Sequence, residues 1–162
     1  MTVRSGGKSA VDLATPAGAA EKEWTPARTF LAASAGYHLI LGIAGLAINQ
    51  TFPLGADATD RAGSAHIFGI FETNGWHSLA GLLLGLISLY FSLQPARARE
   101  AAFALGISQA GVVVGFILWP PSTFSFASNG ADQVIHSITA LGGIGAALLT
   151  RPVRSRSLSP TG

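Results

Sequence analysis

The chain has 162 residues, with ten Lys and Arg against eight Asp and Glu, a charged fraction of 11% and no cysteine. Soluble domains carry about 25% charged residues, so an ordinary water-soluble fold is a poor fit. The missing cysteines exclude disulfides, thiol redox chemistry and thiolate metal sites, and nothing in the charge pattern points to nucleic acid.

Residues 1–24 mix Gly, Ala, Ser, Lys and Glu without apolar periodicity and read as a disordered arm. Thr25-Pro26 then makes a plausible helix start, with Thr as N-cap and Pro in the first turn. A membrane domain over 25–151 follows, with four apolar runs at about 29–48, 76–94, 101–119 and 131–150. None contains Lys or Arg, and the only acid is Asp132, at the edge of the last run. At 1.5 Å per residue, about 19–20 helical residues cover roughly 28–30 Å, the thickness of bilayer hydrocarbon. Barrel strands would alternate apolar and polar residues. Leu82–Leu89 and Gly111–Leu118 do not alternate, so the spans are helices. Pro95 should end the second helix and Pro120-Pro121 the third. The tail 152–162 reads as disordered, like the arm. Ala56-Asp57-Ala58 has the small-residue look of a signal cleavage site. The first run is too long and starts too late for a signal peptide, which favours an uncleaved span.

The expected fold is thus an all-α integral membrane four-helix bundle. Arg4, Lys8, Lys22 and Arg28 precede the first run, Arg97 and Arg99 lie in the 95–100 turn, and Arg151, Arg154 and Arg156 follow the last. Only Arg61 falls in the other loops. By the positive-inside rule both termini are cytoplasmic, and segments 49–75 and 120–130 face outward. Trp24, Trp76, Trp119 and Tyr90 fall near span ends, where amphipathic rings meet headgroups. A weak two-hairpin internal repeat is visible: Asn74-Gly75 with His77-Ser78, and Asn129-Gly130 with His136-Ser137.

The four histidines are the residues with the widest chemical range. Three of them, His38, His77 and His136, lie in the runs. Each has small residues one and two turns on: Gly42 and Gly45 after His38, Gly81 and Gly85 after His77, Ala140 and Gly143 after His136. In the third run Ser108, Gly111 and Gly115 share a face, with Gln109 beside it. Small residues mark faces where membrane helices approach closely. The expectation is that Gly42, Gly45, Gly81, Gly85, Gly111, Gly115 and Gly143 pack helices together, and that His38, Ser108 and Gln109 are buried polar groups. Such groups ordinarily hydrogen-bond between helices for about 0.6 kcal/mol each. The sharper alternative is an outward metal site built from His77, His136, His66, Glu72 and Asp132, whose donor types suit zinc, copper or iron. No tight metal spacing supports it, and Asp132 has a simpler role at a helix N-terminus. His38 and His136 differ by about 9 Å in depth, which argues against a bis-histidine haem. No cofactor is expected, and no catalytic constellation is visible.

Three stretches carry a family resemblance: Gly36–Gly45, Phe68–His77 with its Phe-Gly-Ile-Phe-Glu-Thr-Asn-Gly-Trp-His sequence, and Asp132-Gln133-Val134-Ile135-His136. Together they resemble the bacterial membrane family called domain of unknown function 4383, over about residues 28–150. That family's pattern is a Gly-rich first span, a Leu-Phe-Gly stretch leading into Asn-x-x-His-Asn-x-x-His, and a late Asp-Asn-x-Leu-His. Asn74, His77, Asp132 and His136 match it. Ser78 stands where Asn is usual, Gly81 where the second His is usual, and Gln133 where the late Asn is usual. The lost histidine weakens a metal site carried over from the family. The resemblance implies a multi-pass protein of the bacterial cytoplasmic membrane and no particular activity. The expected role is that of an accessory or structural protein in the lipid bilayer, packing with itself or another membrane protein. The alternative is a small metal- or solute-binding or transport protein.

The charge pattern makes a topological prediction. Cysteines introduced at Ser5 and Ser155 should resist a membrane-impermeant thiol reagent in intact cells, and cysteines at Ser64 and Ser125 should react. Labelling at Ser155 would overturn an even number of crossings.

Overall fold

Each apolar run forms one helix in the computed structural model, which describes residues 24–54, 64–119 and 125–152. The helices are α1 (Pro26–Ile48), α2 (Gly75–Ser92), α3 (Ala98–Leu118) and α4 (Gly130–Leu149). All four are long and apolar enough to cross a membrane, and the chain is a multi-pass membrane protein built as a four-helix bundle. The bulky side chains point outward, where lipid replaces water: Ile117, Leu141 and Leu149 are each about three-quarters exposed. The N-terminal arm, most of the tail, Ala56-Asp57-Ala58, Arg61 and Pro120-Pro121 lie outside the described residues.

Polar side chains cap three of the four helix starts. The Thr25 hydroxyl accepts from Arg28 N, with Pro26 at the first position of α1. Asn74 caps α2 by accepting from His77 N. Asn129 and Asp132 form a reciprocal capping box on α4. Helix α3 has no side-chain cap, and the Gln94 carbonyl accepts from the amides of Arg97 and Ala98 instead.

The bundle is two tight helical hairpins, α1–α2 and α3–α4, joined by a short turn. Glycine makes each hairpin tight. A Cβ on Gly42 would lie 2.6 Å from Leu82 N, and one on Gly85 would lie 2.9 Å from Leu39 N. A Cβ on Gly45 would overlap the Ser78 side chain. In the second hairpin a Cβ on Gly143 would lie 2.7 Å from Ala102 O, and one on Gly106 would lie 2.8 Å from Ile144 N. Lipid supplies no hydrophobic drive between helices, so this close backbone approach supplies the packing energy.

The end bearing the termini and the 93–97 turn is closed. Ala27, Leu31, Ala98, Ala102, Leu105 and Ala147 form a buried cluster there. Arg28 Nε donates to Ser92 O at 2.9 Å, and Arg99 Nε donates to Ala147 O at 3.2 Å. Each arginine ties the start of its hairpin's first helix to the end of the second. Ala27 N donates to the Thr150 hydroxyl at 2.9 Å and so links α1 to the end of α4.

The opposite end carries a feature absent from the sequence reading, an antiparallel hairpin of β1 (Ala65–Ile67) and β2 (Phe71–Thr73). Three-residue strands are too short for alternation to show. The turn has positive φ at Phe68 (54°) and Gly69 (71°), closed by Ile70 N donating to Ile67 O. Two central residues with positive φ make a turn whose twist matches the strands. Glycine adopts that conformation freely, whereas Phe68 does so against its Cβ.

Two glycines expected to pack helices do not. A Cβ on Gly111 would meet nothing within 4 Å, and one on Gly81 only ordinary contacts at 3.7 Å or more. The reason is that α2 and α3, which carry these residues, barely touch. Gly106, not singled out from the sequence, holds the close approach in the second hairpin instead.

Gly85→Leu and Gly143→Leu should each destabilise the protein by about 1–3 kcal/mol, the usual range for overpacking. Gly111→Leu should leave stability nearly unchanged. Thermal unfolding of the three variants in one detergent checks this, and equal losses at all three sites would contradict it.

Candidate functional site

Where α2 and α3 diverge, the small residues that could have joined them leave a gap. It is a cavity of about 390 Å³ with Gly81 on one wall and Gly111 on the other. That volume falls in the range of small-molecule sites. Six polar residues line its otherwise apolar wall: His38 from α1, His77 from α2, Ser108 and Gln109 from α3, Ser128 from the segment before α4, and His136 from α4. Phe126, in the segment leading to α4, stands edge-on to His77 with ring centroids 6.4 Å apart.

Local structure fixes each imidazole. His77 follows the Asn74 cap by three residues, so its ring returns toward the loops. Its Nδ1 lies 2.6 Å from Ala127 O and 3.1 Å from Glu72 O. Carbonyl oxygens only accept, so Nδ1 carries the proton and bridges the β-hairpin to the lead-in of α4. His38 Nδ1 lies 2.8 Å from Ser34 O, one turn back on α1, with the Ser34 hydroxyl also close. His136 Nδ1 hydrogen-bonds the Gln109 Oε1 across the α3–α4 interface. The rings of His77 and His136 stack with centroids 6.1 Å apart and planes 26° apart. His38 and Gln109 are buried, whereas His77 and His136 are half-buried against the cavity.

The acidic residues lie behind the histidines. Glu72 and Asp132 line a second, smaller cavity of about 40 Å³, together with Tyr37 and the same three histidines, His38, His77 and His136. Both acids are buried. Asp132 accepts from Asn129 N at 2.8 Å, completing the α4 cap. His66 stands exposed on β1, opposite Glu72 in the strand register. Among the described residues no three His, Asp or Glu side chains converge to hold a metal ion. This corrects the five-residue metal site read from the sequence: His66 points away, and Asp132 is occupied by backbone amide. Ser108 is a second correction. It is exposed rather than buried, and its hydroxyl donates to Leu105 O on its own helix. Gly115 is buried but lines the cavity rather than a sealed interface.

The sequence reading missed the residues that hold this end together. Asn74 caps α2 with its Oδ1 and donates its Nδ2 to Ser125 O, at 2.8 Å, in the other half of the molecule. Asn129 caps α4 with its Oδ1 and donates its Nδ2 to Ile70 O, at 2.8 Å, in the β-hairpin. The paired Asn-Gly dipeptides were the visible signal, but a cap explains Asn without a second bond. The segment after α1 is tied in as well: Asn49 Nδ2 donates to Thr73 O, Gly75 N to Thr51 O and Trp76 Nε1 to Pro53 O. A Cβ on Gly75 would lie 2.7 Å from Thr51 O and from the Phe52 ring, so only glycine fits there.

The family model described as Domain of unknown function (DUF4383) matches residues 19–149. No curated protein and no solved structure matches this chain.

Asn129→Ala removes both the cap and the bond between the halves, and should cost about 1–2 kcal/mol. Asn129→Ser keeps a capping oxygen and loses only the donor to Ile70 O, so its loss should be smaller but not zero. Thermal unfolding of both variants measures this, and Asn129→Ser as stable as the wild type would show that the bond between the halves contributes nothing.

Proposed function

Starting from the DUF4383 family, to which this chain belongs, we propose that the protein is a non-catalytic binding protein that holds an apolar small molecule within the membrane. The observation that carries this reading is the cavity of about 390 Å³ between α2 and α3, with three histidines, a glutamine and two serines in an otherwise apolar wall. Small-molecule sites combine an apolar lining with a few placed polar groups that orient the ligand. Ionisable side chains inside a membrane bundle are functional candidates by default, and three histidines meet at this one place. The ligand would enter sideways from lipid, because the gap lies between two spanning helices.

The charge pattern supports the cytoplasmic membrane as the location, with both termini and the basic turn inside. Nine of the ten Lys and Arg residues fall on that side. The cavity and the β-hairpin then lie toward the outer surface. A second reading has its own support. Gly111 is exposed, with open space over its Cα, which suits a spanning helix from a second copy or another membrane protein seated in the gap.

Gly111→Phe should fill the cavity without straining the backbone, whereas Gly36→Phe, at another open glycine on α1, should not affect it. In lipid nanodiscs para-nonylphenol should bind the wild type saturably, and Gly36→Phe equally well. Gly111→Phe should lower affinity at least about tenfold, as loss of about 1.4 kcal/mol would. Binding unchanged by Gly111→Phe sinks the small-molecule reading.

A further inference from the structure

The β-hairpin carries an exposed apolar tip that neither the helix packing nor the cavity explains. Phe68 is 71% exposed and Ile70 is 54% exposed, on either side of Gly69. Phe68 also holds a φ of 54°, a conformation that costs a bulky residue more than it costs glycine or asparagine. With most of its side chain outside the protein, Phe68 gains little packing to offset that strain. Strain that persists at one exposed residue points to a role outside the fold.

We infer that the hairpin tip is a lipid-contact element, with Phe68 and Ile70 seated at the boundary between headgroups and acyl chains in the leaflet at this end of the bundle. Depth selects lipid as the occupant. Strand β1 runs beside α1, and Ile67 and Phe71 share the smaller cavity with Tyr37 and Leu41 of α1. Leu41 lies seven residues, about 10 Å, inside the end of α1 at Ile48. The hairpin therefore stands alongside the last turns of a spanning helix rather than above them. Ile70 O is bonded to Asn129, the N-cap of α4, which sets the tip level with the start of a second spanning helix. Ile48, two turns on from Leu41 along the same face of α1, is about half exposed. The lipid-facing surface of α1 thus runs up to the hairpin. Trp119, at the C-cap of α3, is half exposed at the same end, and tryptophan favours the headgroup level. That level suits the tip backbone as well, because water and headgroup oxygens still reach its polar groups. The bonds from Asn129 to Ile70 O and from His77 to Glu72 O hold the hairpin there. This contact is independent of the cavity between α2 and α3.

The chain has no cysteine, so Phe68→Cys, Ile70→Cys, His66→Cys and Leu141→Cys each carry one nitroxide label on the full chain in phosphatidylcholine nanodiscs. All four positions are exposed, so the labels leave the fold in place, and Ile70→Cys keeps Phe68 as a second reporter of the tip. Electron paramagnetic resonance then compares collisions with oxygen, which concentrates in acyl chains, and with a water-soluble nickel chelate. The oxygen-to-nickel ratio at Phe68 and Ile70 should approach that at Leu141, on the lipid face of α4, and exceed that at His66 severalfold. His66 lies on the same hairpin but is polar, so it controls for partitioning driven by the label itself. A ratio at Phe68 equal to that at His66 would place the tip in water and overturn the inference. Low access of both reagents at Phe68 and Ile70 would show a protein partner over the tip and overturn it as well.

Discussion

Asn74 and Asn129 hold the open end of this bundle by doing the same two things in opposite directions. Each uses its side-chain oxygen to satisfy free amides at the start of its own helix, and each uses its side-chain amide to reach a loop carbonyl of the other half. Helix N-termini leave amides without intrahelical partners, and near a bilayer such groups are costly to abandon. One side chain therefore settles a local debt and a long-range connection together. The Nδ1–H of His77, shared between the carbonyls of Glu72 and Ala127, sits between the same two loops. Polar bonds, rather than apolar burial, fix how the two helical hairpins meet here.

That division explains why a cavity can exist in so small a protein. Within each hairpin the backbones meet through glycine, with no room for a Cβ at Gly42, Gly85, Gly106 or Gly143. Between the hairpins α1 meets both α3 and α4, whereas α2 hardly meets α3. Ala27, Leu31, Ala98 and Ala147 close one end, and the asparagine bonds close the other. In the middle, α2 and α3 are left apart. Gly81 and Gly111 then bound empty space instead of filling an interface. A glycine on a spanning helix removes side-chain volume in either case. Whether that becomes contact or cavity depends on how far away the neighbouring helix stands.

The polar chemistry of the cavity follows from the same geometry. His38 is anchored within its own helix, His77 by the loops and His136 by the facing helix α3. The three rings thus reach one space from different supports. Glu72 and Asp132 are drawn to the back of the site, where Asp132 serves the α4 cap, so the larger cavity keeps an uncharged wall.

Much of the architecture was legible in the residues themselves. Four uncharged runs of bilayer length are four spanning helices, because unpaired backbone cannot cross hydrocarbon. Thr25 before Pro26 marks the start of the first helix, because its side chain can accept from a free amide, whereas the caps at Asn74 and Asn129 emerged only from the structure. What the sequence could not decide was partnership. The Gly-x-x-x-Gly spacing around Gly81 and Gly111 shows where side chains are small but not which helix, if any, approaches. His77 and His136 line the larger cavity and also share the smaller one with Glu72 and Asp132, an arrangement that spacing along the chain does not show. His66 is close to Glu72 in the strand register and still points outward. The tautomer of His77, the cavity and the bonds joining the hairpins depend on atoms far apart in the chain meeting within about 3 Å, and only the tertiary structure brings them there.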